Sequence, residues 1–121
     1  MIGYVMVGAN DLEKSAAFYD AVLGVMGAKR AMANDHMIGF SGPVRGPMLA
    51  VCTPSNGGPA SFGNGSMIAL AAASQDQVHE VHAMALASGG TDEGAPGART
   101  ESFYGAYFRD LDGNKLCIFK M

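Results

Sequence analysis

A chain of 121 residues with eight Lys and Arg, eleven Asp and Glu and a net charge of −3 has room for one domain with a real core. It has no basic tract or stripe, which argues against nucleic acid as a partner, and no apolar run near the roughly 20 residues that cross a membrane. A cytoplasmic protein is expected, and its two cysteines, too few for a disulfide framework, read as free thiols in that reducing compartment.

The opening residues, MIGYVMVGAND, lack the basic start and long apolar core of a signal peptide. They read as a first strand, YVMVGA at 4–9. Asn10 or Asp11 then caps a helix. In that helix Leu12, Ala16, Tyr19, Leu23 and Met26 repeat at spacings of four and three and share one face. Gly24 and Gly27 end it. Strand-like pieces follow around 29–33, 36–40 and 47–53. PSNGGPASFGNG, 54–65, is rich in glycine, proline and asparagine and reads as a linker or flap.

The order then starts again. SMIALAAA, 66–73, reads as a strand, and 74–90 as a helix capped by Ser74 and stopped by Gly89 and Gly90. GAPGART, 94–100, reads as a loop that leads to two hairpin strands, near 105–110 and 115–120. The DLDGN stretch between those strands is not a calcium loop. An EF-hand needs glycine at its sixth position and glutamate at its twelfth, whereas counting from Asp110 puts Gly113 fourth and Met121 twelfth. A type I turn fits, with Gly113 left-handed. An offset of 63 aligns Tyr4 with Met67, Asp11 with Ser74, Leu23 with Leu86 and Gly27 with Gly90. The chain is therefore expected to be an α+β protein, one domain over 1–121, made of two βαβββ modules at 1–55 and 65–121.

Each module needs its helix on one face of its sheet, and the opposite faces would curl around an open, barrel-like cavity. Period-two alternation turns Val5, Val7, Leu49, Val51, Ile68, Leu70, Leu116 and Ile118 toward the helices. It turns Tyr4, Met6, Met48, Ala50, Cys52, Met67, Ala69, Cys117 and Phe119 toward the cavity. Nine methionines read as core filling, or more sharply as an adaptable pocket lining. The turn geometry pairs Tyr107 with Cys117 and Arg109 with Lys115. Tyr4 and Tyr107 could then orient a carbonyl or act as weak acids, Arg109 could hold an anionic group, and Cys117 is a candidate nucleophile if a cation activates it. His79 and His82 stand at i, i+3 and do not make the HExxH zinc motif. His82 reads as a boundary residue satisfied by a hydrogen bond, His79 as solvent-facing and His36 as a rim residue.

Two stretches resemble the vicinal oxygen chelate superfamily, the glyoxalase, bleomycin-resistance and extradiol-dioxygenase group. NDLEKSAAFYDAVLG is similar to its first-helix signature, and YFRDLDGNKLCIF to its final hairpin, with Leu111 in place of the usual proline. The resemblance implies the glyoxalase/bleomycin-resistance fold, a homodimer and a small-molecule ligand. It also implies, in the family's enzymes, a divalent metal that chelates adjacent substrate oxygens. The ligands would be a His on the first strand, a His or Gln on the first strand of the second module, and a Glu on the last strand. Those positions are Tyr4, Met67 and Cys117, and no Asp or Glu lies between Asp35 and Asp76 to supply a fourth. Tyr, Met and Cys do not suit a hard divalent ion. The expectation is no metal and no cofactor: a small-molecule binder of the bleomycin-resistance type, with a glyoxalase-like lyase or related enzyme as the alternative.

Overall fold

In the computed structural model, which describes residues 1–121, the chain runs β1 (Tyr4–Gly8), α1 (Leu12–Gly24), β2 (Lys29–Ala33), β3 (Met37–Ser41) and β4 (Met48–Cys52). It continues through β5 (Ile68–Ala71), α2 (Gln75–Ala87), β6 (Thr91–Thr100), β7 (Phe103–Arg109) and β8 (Lys115–Lys120). The strands form two four-stranded sheets, β1-β4-β3-β2 and β5-β8-β7-β6. In each, the first strand runs parallel to the last and the other pairings are antiparallel. The fold is thus α+β with a βαβββ repeat. The sheets share no strand pairing, so the structure is open and not a closed barrel.

The helices start where side chains satisfy their first amides. Asp11 accepts from the Lys14 N–H at 3.0 Å, and Ser74 from the Gln77 N–H at 3.1 Å. From α1, Ala16, Phe18, Tyr19, Val22 and Leu23 enter the core, and from α2, Val78, Val81 and Ala85. All eight strand positions expected to face the helices lie in this core or pack against it. The helices also meet each other, and the Phe18 ring lies 6.4 Å from that of Phe108, so the two modules share one core.

Two expectations need correction. Residues 94–100 are not a loop but most of β6. Its pairing with β7 shifts register three times: Gly94 and Gly97 pair with Tyr107 and Gly105, while Glu93, Ala95, Pro96 and Arg99 fall in the bulges between paired residues. β6 is an edge strand, where the missing N–H of Pro96 breaks no central ladder. None of the nine methionines is in the core. The methionines on strands sit on the sheet faces that the helices leave uncovered, so core filling does not explain them. β5 is also shorter than expected, and Met67 lies just before it.

The DLDGN turn holds the modules together. Gly113 has φ +87°, and the Asp110 N–H bonds the Asn114 carbonyl at 3.0 Å, as a bulged type I turn requires. Three bonds cross from this turn to the first module. The Tyr19 hydroxyl donates to Asp110 at 2.6 Å, the Asn10 N–H to Asp112 at 2.9 Å, and the Asn114 amide to the Gly8 carbonyl at 3.0 Å. The 54–65 segment is docked as well: the Ala60 N–H donates to Asn10 Oδ1 at 2.7 Å, and Phe62 lies against Gly113.

Candidate functional site

The uncovered face of the first sheet is rich in thioethers. Direct pairings of Tyr4 with Met48, Met6 with Ala50, Met37 with Cys52 and Met32 with Gly39 put these residues on one surface. Met32 and Met48 lie over Gly39, where an added Cβ would fall 2.5 Å from the Met48 sulfur. Tyr4 is 59% exposed, whereas Ala50 forms a fully buried floor. At one end a cleft of about 800 Å³ is lined by Met6, Met37, Cys52 and His36.

The second sheet presents a different wall. Tyr107 pairs with Cys117 and Arg109 with Lys115, as the turn geometry predicts, and Gly105 pairs with Phe119. Phe119 is stacked on Phe103 at 5.1 Å. The Arg99 guanidinium and the Lys115 ammonium lie 5.3 and 5.6 Å from the centre of the Tyr107 ring, within cation–π range. Arg109 donates to Glu93 at 2.7 Å and to the Gly113 carbonyl at 2.9 Å, and it sits over the Phe62 ring. Its charge is already matched.

Cys117 has no exposed surface. Burial pushes its thiol pKa up, and a hydrogen bond with Tyr107 and the charges of Arg99 and Lys115 oppose this more weakly. The group is a neutral thiol at pH 7, not an activated nucleophile. Both cysteines are free. Cys52 lies on the first sheet and Cys117 on the second. His82 is buried and bonds Asp92 at 2.9 Å, which makes it a satisfied boundary residue. His79 is exposed but not idle, since its ring bonds the Tyr104 hydroxyl.

The residues expected around one cavity are therefore split between two sheets. Tyr4, Met6, Met48, Ala50 and Cys52 belong to the first; Met67, Tyr107, Arg109, Cys117 and Phe119 belong to the second. Of these ten, only Met6 and Met67 come together across the sheets, where β1 faces the start of β5. A crevice of about 270 Å³ there is lined by Met6, Met67 and Lys115 together. A neighbouring hollow of about 340 Å³ shares Met67, Lys115 and Phe62 with it and adds Arg109. Met6 also borders the large cleft, so these depressions adjoin one another.

Nowhere do three His, Cys, Asp or Glu side chains gather in a way that could hold a metal. The positions that the resemblance assigns to ligands offer an exposed phenol, an exposed thioether and a buried neutral thiol. This donor set does not fit a hard divalent ion, which binds carboxylate oxygen and imidazole.

The family model described as Glyoxalase/Bleomycin resistance protein/Dioxygenase superfamily matches residues 1–118. The chain belongs to this superfamily. A glyoxalase/bleomycin resistance protein from Albidiferax ferrireducens is 43% identical, with TM-score 0.89 over 98% of this chain and 97% of that one. A glyoxalase-related enzyme from Fulvimarina pelagi is 23% identical (TM-score 0.80, 98% and 86% covered). A hypothetical protein from S. aureus is 24% identical (TM-score 0.77, 100% and 93% covered). The last two show the shared fold alone. A search of the curated proteins found no match.

Within this superfamily member, two residues of the second wall escaped the sequence reading. Arg99 was hidden because Gly94, Pro96 and Gly97 look like loop. Phe62 was hidden inside a segment whose composition says linker. An arginine between two turn-like glycines and a strand, and a lone aromatic among small residues, were the only signals.

Proposed function

We propose that this superfamily member binds a small molecule without the divalent ion of the family's enzymes, in the manner of the bleomycin-resistance proteins. One observation supports the reading: the positions that the resemblance assigns to His, His or Gln, and Glu carry Tyr4, Met67 and Cys117, an exposed phenol, an exposed thioether and a buried thiol. The flexible thioethers of the first sheet suit an apolar ligand. Free thiols at both cysteines accord with a cytoplasmic location, and no helix is long and apolar enough to cross a membrane. We also read the working unit as a homodimer in which the partner covers part of the open faces, because Tyr4, Met6, Met32 and Met67 are exposed and exposed apolar side chains mark interaction surfaces.

Fluorescence titration with the apolar probe phenylnaphthylamine, with and without EDTA, tests the binding claim. Saturable binding that EDTA leaves unchanged is expected. Binding that the chelator abolishes would overturn it. Sedimentation equilibrium should give the mass of two chains, and a monomer at micromolar concentration would refute the dimer.

A further inference from the structure

The two walls differ in charge as well as shape. The first sheet's open face holds Tyr4, Met6, Met32, Met37 and Met48, with Lys29 opposite Ser41 as the one charged strand residue on that face. The second holds Arg99, Arg109 and Lys115 against one acid, Glu93. In a chain of net charge −3, this is a local positive excess. The three cations are not equivalent. Glu93 and the Gly113 carbonyl occupy Arg109. Arg99 spends its guanidinium on the Gly97 and Ala95 carbonyls, at 2.9 and 2.6 Å, and forms no ion pair. Lys115 forms no ion pair either: the chain's ion pairs involve Arg30, His82 and Arg109 alone. Yet Lys115 is half-buried and lines both the crevice between β1 and β5 and the hollow beside it. Glu93 lies within reach of the Lys115 charge but is bonded to Arg109, which leaves the Lys115 ammonium able to meet an incoming anion.

We propose that Arg99 and Lys115, on either flank of the binding wall around Tyr107, recognise an anionic group on a planar apolar ligand. The anion meets the two cations, and the ligand's ring system lies along Tyr107, Met67 and Met6. Arg109, the arginine that sequence alone suggested for this task, instead fixes β6 and the DLDGN turn. This specificity deepens the small-molecule reading and rests on it.

A matched pair of probes separates the two claims. Anilinonaphthalene sulfonate is anionic; phenylnaphthylamine is the same skeleton without the sulfonate. Wild-type protein should bind the anionic probe more tightly, and added NaCl should weaken that probe alone. Arg99→Gln and Lys115→Met should each weaken the sulfonate by about fivefold or more, since hydrogen bonds to charged groups are the strong ones, and leave the neutral probe within about twofold. Lys14→Met, on the exposed side of α1, should change neither probe. Thermal melts confirm that each variant is folded, and the salt response of the wild type stands even if one is not. Equal affinity for both probes, or equal loss of both in the variants, would overturn the anion proposal while the binder reading stood. Failure of both probes to bind would overturn the binder reading, and this inference with it.

Discussion

Asp110 is buried and accepts four hydrogen bonds, from the Tyr19 hydroxyl, the Asp112 and Asn114 amides and the Asn114 side chain. Asp110→Ala would leave the hydroxyl and the two backbone donors without partners, and should cost on the order of 3 kcal/mol in urea unfolding. Tyr19→Phe removes one donor and should cost about 1–2 kcal/mol. The same pair predicts a pH effect. Burial first, and then the Asp110 charge, raise the Tyr19 hydroxyl well above its ordinary 10.0. A raised folded-state pKa contributes stability that is complete below the unfolded value and is lost as pH climbs past it. Unfolding free energy should therefore fall above pH about 10, and Tyr19→Phe should blunt that fall. The thiols differ in a way that mass spectrometry can read: iodoacetamide should label partly exposed Cys52 and spare buried Cys117 in native protein. Equal labelling would mean that Cys117 is more accessible than its burial implies.

At the scale of elements, Gly113 is required twice. Its φ of +87° disfavours any side chain, and a Cβ there would fall 2.5 Å from the Phe62 ring. Gly113→Ala should destabilise the chain by about 1–2 kcal/mol and loosen the docked 54–65 segment, which limited proteolysis would detect. The turn was readable in the sequence because its cause is local: acidic and amide side chains bond their own backbone, and glycine supplies the left-handed residue. The helices were readable for the same reason, through their caps and apolar period. β6 was not. Gly94, Pro96 and Gly97 give strong loop signals, and only pairing with β7 across three bulges makes them strand. A long-range pairing of this kind leaves no local trace.

At the scale of the whole molecule, the paired modules, their strand alternation and the helix-facing core positions follow from the sequence. The course of the two open faces does not. Composition counts nine methionines but does not say which side of a sheet they take; here none is buried in the core, and only Met26 packs against it. Nor does alternation tell whether two concave faces form one pocket or two walls that adjoin only where β1 approaches β5. The chelate chemistry of the superfamily would need a metal, and at the positions that the resemblance assigns to its ligands the chain has Tyr4, Met67 and Cys117. The most direct test is elemental analysis of untagged protein followed by calorimetric titration with Ni²⁺, Zn²⁺, Mn²⁺ and Fe²⁺. The account predicts sub-stoichiometric metal and no saturable heat with any of the four. One tightly held ion per chain would contradict it and return metal-assisted chemistry to this site.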